Sequence, residues 1–311
     1  MRRILITGGT GFVGPYLIRA VKTPSTSIAV LSASEAALQE PGVRYYQVDL
    51  RDRETLHSVI REYRPDEIYH LAGVTAVNTS RDDPRQTFEV NVVGACNLFD
   101  GAISLASPPR ILNISTSQVY APSKASLTED SPMGPDNPYA MSKAMVEFVA
   151  QQYNSPAAVN GIITARAFNH TGPGQSTNFV LSSIARQFAE IQNGSPTSTI
   201  SIGNTEVRRD FTDVRDVVRA YQLLMSTGRV GETYNVCSGS AVALTEIIEL
   251  FRAVSGIKPA LRIDSSRARS HEVQQVCGDP RKIFSATEWR PQISLAETAK
   301  DLLAYWRMVL R

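Results

Sequence analysis

The chain has 311 residues, enough for about two domains and for a sizeable core without metal or disulfide staples. Hydrophobic residues make up 42% and charged residues 20%, the balance of a globular chain, which weighs against disordered, collagenous, coiled-coil and repeat architectures. Thirty-two Lys and Arg against 30 Asp and Glu leave a net charge of +2, which argues against binding nucleic acid through bulk charge but leaves room for a local anion site.

Short β-branched runs at 2–8, 27–32, 43–49, 67–73, 110–115 and 161–168 predict strands. Amphipathic stretches at 13–22, 53–63, 84–106 and 138–153 predict the helices between them. Strand–helix alternation with connections of a dozen or more residues favours an α/β, Rossmann-type doubly wound parallel sheet joined by right-handed crossovers. After residue 166 the pattern loosens. Gly and Pro break residues 168–176 into a loop, a helix is expected over 178–193 and a strand over 199–203, followed by a polar turn at Gly203 and Asn204. The segment 208–225, a strand at ETYNVCS, a helix near 244–255 and a closing helix near 295–309 complete the chain. Residues 1–166 thus read as a dinucleotide-binding domain. Residues 167–311 read as a smaller α/β substrate domain, with segments around 208–239 able to return to the first.

Thr7 to Gly14 reads TGGTGFVG, between a strand and a helix. In that context Gly8, Gly11 and Gly14 allow a tight turn and let backbone approach a pyrophosphate at the positive end of the helix. A carboxylate often follows about 20 residues on, to hold the ribose hydroxyls of NAD. Here the second strand ends with Ser32, and Ser34 follows, so nothing at that place repels a 2′-phosphate. This favours NADP(H) and leaves NAD(H) possible; Glu35 could still approach a ribose. Asp49, at the end of the third strand, either meets the adenine edge or caps the strand. The expected cofactor-lining set is completed by Phe12, Val13, Leu50, Leu71, Ala72 and Gly73.

Tyr139 and Lys143 stand four residues apart, on one face of a helix. A neighbouring ammonium lowers a phenol from its normal pKa of about 10, and the same lysine can hold the nicotinamide ribose. Thr116, in the hydroxyl-rich turn after the fifth strand, can hydrogen-bond the reacting substrate oxygen beside Tyr139; Ser115 and Ser117 fit a Ser/Thr-rich turn equally well. Cys96, Cys237 and Cys277 form no CxxC pair and read as reduced thiols of a cytoplasmic protein. The four histidines show no metal-ligand spacing, so no metal is expected. No apolar run approaches the roughly 20 residues that span a bilayer, so no membrane partner is expected either.

TGGTGFVG, HLAG, STSQVY and YAMSK, in this order, resemble the extended short-chain dehydrogenase/reductases that act on nucleotide sugars. RAFNHTGPGQ (166–175), RRDFTDVRDVV (208–218), YNVCSG (234–239) and the RSHEV…GDP stretch (269–280) resemble the GDP-mannose 4,6-dehydratase branch, and especially its GDP-6-deoxy-D-lyxo-4-hexulose reductases. The resemblance spans essentially the whole chain. It implies a Rossmann domain with a C-terminal nucleotide-sugar domain, and a homodimer joined through the helices at 84–106 and 138–153. It implies that Thr116, Tyr139 and Lys143 are catalytic and that Asn169 binds the sugar nucleotide. It implies that Arg209 meets the diphosphate and that Arg269 and Glu272 hold the guanosine ribose. Ser270 stands where the pattern usually has proline. The charges of RRDFTDVRDVVR also suit a solvated helix face.

Dehydratases of this branch carry STSELY, whose glutamate serves the removal of the C5 proton and loss of the C6 hydroxyl. This chain has Gln118 there, and an amide does not titrate; Glu129 is the carboxylate that could substitute. The expected activity is NADPH-dependent reduction of the C4 ketone of GDP-4-keto-6-deoxy-D-mannose to GDP-D-rhamnose, with Gln118 orienting substrate. The alternatives are a dehydratase, a nucleotide-sugar epimerase, or a binding protein that keeps the pocket without turnover.

Overall fold

The computed structural model describes residues 1–35, 39–75, 77–154, 160–264 and 273–311. Six strands of the first half are β1 (Arg2–Thr7), β2 (Thr26–Ser32), β3 (Val43–Gln47), β4 (Glu67–His70), β5 (Arg110–Thr116) and β6 (Ile162–Ala167). With β10 (Thr233–Val236) they form a seven-stranded, wholly parallel sheet in the order β10-β6-β5-β4-β1-β2-β3. This is the doubly wound α/β order, with its direction reversing between β1 and β4.

Helices cover both faces. On one side α1 (Gly14–Val21), α8 (Val214–Thr227) and α10 (Arg281–Thr287) pack over Ile4, Ile6, Tyr69, Leu112 and Ile163. On the other, α2 (Arg53–Tyr63), α5 (Gly94–Ile103) and α6 (Pro138–Tyr153) cover Leu5, Leu31, Ile68 and Ile111. Each such fully buried Leu or Ile contributes about 1.5–3 kcal/mol, which explains why the strands read as unbroken apolar runs. Helix ends are written locally. The side chains of Asp52, Asn137 and Asp213 accept hydrogen bonds from first-turn N–H groups of α2, α6 and α8.

A third core joins α7 (Val180–Gln192), α9 (Leu244–Ser255) and α11 (Leu295–Val309) to β8 (Thr199–Ile202) and β9 (Arg208–Asp213). β9 pairs with β7 (Asn169–Thr171), β11 (Ala241–Ala243) and β13 (Gln275–Val276), while β8 pairs with β12 (Ala260–Ile263). β8 is the strand expected over 199–203, whereas β7, β11, β12 and β13 have no alternation long enough to read from sequence. The segment 208–225 divides at Asp213 into β9 and α8.

The helix expected over 84–106 is interrupted. It runs as α4 (Pro84–Phe88), a π turn (Glu89–Val93) and α5, and it follows an unforeseen short helix, α3 (Val77–Asp82). The π turn carries Asn91, whose Oδ1 accepts from the Val74 N–H at 2.7 Å and whose Nδ2 donates to the Val74 carbonyl at 3.1 Å. A wide turn inside a helix is a recurrent way to aim one side chain at a site.

Candidate active site

The C-terminal ends of β1 and β4 open the crevice in which doubly wound sheets bind ligands. Gly8 sits there with φ +69°, and a Cβ on it would lie 2.7 Å from the backbone of Ala72. A Cβ on Gly14 would lie 2.0 Å from the Gly9 carbonyl oxygen, so the loop closes on its own helix only without side chains. α1 has no side-chain cap; its Gly14 N–H turns back onto the Gly11 carbonyl at 3.2 Å, and Pro15 has no N–H, so the helix contributes the positive end of its dipole to the crevice. Across it, Gly73 is tight against Asn91: a Cβ would lie 2.8 Å from Asn91 Oδ1 and 3.6 Å from Lys143 Nζ. This narrow, glycine-lined cradle fits a dinucleotide pyrophosphate.

The end of β2 is closed by a hydrogen bond between Ser32 Oγ and Thr10 Oγ1 at 2.9 Å, while Ser34 and Glu35 are exposed. Asp49 accepts from the backbone N–H of Arg51 at 2.9 Å and from its guanidinium at 2.6 Å, and that pairing holds its carboxyl below the usual range. Leu50 is buried against Gly94, and Leu71 and Ala72 line the wall beside Gly8.

Thr116, Tyr139 and Lys143 come together at the end of β5 and the start of α6, all three buried. Tyr139 hydrogen-bonds Thr116; burial pushes its phenol above the ordinary value, and that bond works the other way. Lys143 Nζ donates to the Ile114 carbonyl at 2.8 Å. Burial pulls Lys143 down to about 8, against the upward influence of Glu147. The expected depression of the phenol by this ammonium is therefore not what the structure displays. Beneath them His70 Nδ1 lies 2.8 Å from Thr7 Oγ1, and burial, aided by Lys143, drives the imidazole down to about 3. It stays neutral and adds no charge beneath the site.

Gln118 lies half-buried in the turn after Thr116, its N–H donating to Thr116 Oγ1 at 3.3 Å. Glu129 is already committed: its carboxylate accepts from the Asn235 N–H at 2.7 Å, and burial pushes it up. A buried ion pair supports the floor. Arg166 Nη2 donates to Glu147 at 2.7 Å, Arg166 Nη1 to the Glu129 carbonyl at 2.9 Å, and Ser115 Oγ donates to Glu147.

On the far side, Asn169 on β7 is paired with Phe211 of β9. The FNH loop is tied to the glycine loop by Phe12 stacked on His170, centroids 6.2 Å apart, and by Tyr16 Oη donating to the Pro173 carbonyl at 2.7 Å. Arg209 lies on β9 beside β13 and donates to the carbonyls of Arg208 at 2.9 Å and Gln274 at 3.4 Å. Arg269 and Glu272 lie outside the described residues. Sequence reasoning passed over Asn91, Asn137, Glu147 and Arg166 as site-supporting residues. Asn137-Pro138 was the legible signal, because a capping side chain before a first-turn proline marks a helix start.

The sequence model described as GDP-mannose 4,6 dehydratase matches residues 5–302. The chain is 32% identical to GDP-6-deoxy-D-mannose reductase of Pseudomonas aeruginosa, over 100% of this chain and 99% of that protein. It is 28% identical to GDP-6-deoxy-D-talose 4-dehydrogenase of Aggregatibacter actinomycetemcomitans, over 91% of this chain and 90% of that protein. The structure of RMD from Pseudomonas aeruginosa complexed with NADPH superposes with a TM-score of 0.87 at 32% identity, covering 99% of this chain and 100% of that one. A full-length match of sequence and fold makes this chain a member of the GDP-mannose 4,6-dehydratase family.

Proposed function

We propose that the protein is an NADPH-dependent reductase of the C4 ketone of GDP-4-keto-6-deoxy-D-mannose, producing GDP-D-rhamnose. The observation that carries this reading is Gln118, an amide where elimination needs a carboxylate, beside an assembled Thr116–Tyr139–Lys143 group. The family's reductase from Pseudomonas aeruginosa, and its NADPH complex, supply the substrate class and the cofactor.

A reduced nicotinamide held in the cradle supplies hydride to C4. Thr116 positions the ketone oxygen, and Tyr139 gives it a proton as charge develops. A phenol pushed up by burial suits that duty, since reduction requires Tyr139 to begin protonated. Lys143 holds the nicotinamide ribose, with its ammonium charge favouring the phenolate that remains. Residues 1–166 bind the cofactor, and residues 167–311 mainly the nucleotide sugar, with Asn169, Arg209, Arg269 and Glu272 as the intended contacts.

The protein acts as a homodimer in this reading. Met141, Met145 and Phe148 form an exposed apolar stripe on α6, at 43%, 46% and 57% exposure, with Val93 beside α5. Such a stripe is a candidate interface. The reduced thiols suit the cytoplasm, and among the described residues no helix is long and apolar enough to cross a membrane.

The test is loss of reduced-nicotinamide absorbance with freshly generated GDP-4-keto-6-deoxy-D-mannose. No oxidation by the wild type, or undiminished oxidation by Tyr139→Phe, sinks the reading; dehydration of GDP-mannose by the wild type restores the dehydratase. The proton couplings at C4 of the product separate the rhamno from the talo configuration. The talose-specific relative makes the latter the second reading.

A further inference from the structure

Three side-chain amide and carboxyl groups at the mouth of the site form a directional chain. Asn137 caps α6: its Oδ1 accepts the N–H of Ala140 at 3.0 Å, with backbone φ −146° and ψ 158°. A backbone N–H can only donate, so the oxygen of this amide must face the helix and its nitrogen must face away. That nitrogen donates to Asp136 Oδ1 at 2.9 Å and to Gln118 Oε1 at 3.2 Å. Both of its protons are used. Turning the Asn137 amide over would set its N–H groups against the helix N–H, and turning Gln118 over would set nitrogen against nitrogen. Asn137 is buried, so water offers its amide no alternative. The orientation of Gln118 thus follows from the helix cap, independently of how either amide is drawn.

We propose that Asn137 is a positioning residue that locks the Gln118 amide with its nitrogen toward the cleft, where it donates a hydrogen bond to an acceptor oxygen of the hexose next to the reacting carbonyl. This rests on the reductase reading and deepens it. The turn after β5 holds Gln118 beside Thr116 through the bond from its own N–H. A donor there pairs with a ketone or hydroxyl oxygen; an outward amide oxygen would face the ketone's lone pairs and oppose binding.

The experiment is a double-mutant cycle in the full chain with NADPH. Asn137→Ser keeps a capping oxygen but cannot reach Gln118. Asn137→Asp keeps the cap and turns the Gln118 amide round, because a carboxylate can only accept. Melting temperatures and the Kd for NADP+ should stay at wild-type values in the Ser variant. The KM for the keto sugar should rise about tenfold in the Asp variant and severalfold in the Ser variant, the scale of one hydrogen bond. In a Gln118→Ala background neither change should alter KM by more than about twofold. Equal effects with and without Gln118, or an unchanged KM in Asn137→Asp, would overturn the proposal. If the wild type oxidises no NADPH, the reductase reading fails by itself. The same cycle is then read as the Kd for GDP-mannose in the NADP+ complex, with the same criteria.

Discussion

Lys143 donates its ammonium to the main-chain carbonyl of Ile114, one strand residue before Ser115, instead of to the phenol of Tyr139 one helical turn away. Seated there it is buried, and burial lowers it from an ordinary 10.5 to about 8. Between those two values the unfolded chain holds a proton that the folded chain has released. The contribution of Lys143 to stability therefore rises with pH from about 8 to about 10.5. Its catalytic contribution runs the other way, because the charged form is the useful one.

For the free enzyme, kcat/KM falls above pH about 8, while melting temperature gains a positive pH slope over the same window. Lys143→Met removes the slope. A flat kcat/KM from pH 7 to 10 would show that the charge on Lys143 is not required.

Gln118→Glu restores a carboxylate beside Thr116 without changing shape. Asn137 Nδ2 can donate to the new oxygen as it does to the old one, at 3.2 Å. A base next to a C4 ketone can remove the acidified C5 proton, so deuterium from heavy water should appear at C5 of the keto sugar. Ketone reduction should fall about tenfold as the donor to the sugar is lost. Absence of exchange in the variant would mean that position 118 does not face C5.

Much of this architecture was legible because it obeys short-range rules. The six strands of the first half end within about three residues of expectation, since buried parallel strands are continuous apolar runs. α6 and α11 were legible as helical stretches, although their caps at Asn137 and Ser294 went unread. The π turn was not, because one extra residue in a helix barely alters the apolar pattern, although it decides where Asn91 points. The catalytic trio was readable from spacing, but the state of Lys143 was not. That depends on burial and on Glu147 and Ile114, which no local motif reports. Nor could the partner of Asp210 be read, since it is a loop some 28 residues away.

Asp210 is the acidic residue of the RRDF run, and it faces inward. One carboxylate oxygen accepts from the N–H and hydroxyl of Ser238, at 2.8 and 2.6 Å; the other accepts from the N–H groups of Gly239 and Gly278, at 3.0 and 3.2 Å. It thus pins the YNVCSG and GDP segments to β9, the strand that carries Arg209. Asp210→Asn must set an NH2 against at least one backbone N–H, that of Ser238 when the Ser238 hydroxyl turns to accept, at a cost of about 1–3 kcal/mol. Urea unfolding should show it as a lower midpoint with an unchanged slope. A shift below about 0.5 kcal/mol would mean that the loops are held by other contacts.

Glu147 and Arg166 are the pair that most directly link stability to the chemistry. Their side chains are 4% and 7% exposed, and Arg166 also lies over the Tyr120 ring at 4.7 Å. Burial opposes the charge of Arg166, yet its bonds to Glu147 raise it above its ordinary value. Glu147 sits one turn beyond Lys143 and holds that ammonium up. Glu147→Gln leaves two buried cations facing an amide. Stability should fall by about 3–5 kcal/mol, and the alkaline limb of kcat/KM should move to lower pH. Glu147→Leu combined with Arg166→Met removes both charges, so most of the stability should return. The limb should stay displaced, because the carboxylate that favoured the charged lysine is still missing. That split separates the two roles of Glu147. If the double variant recovers both stability and the original limb, Glu147 acts on Lys143 only by keeping the fold intact.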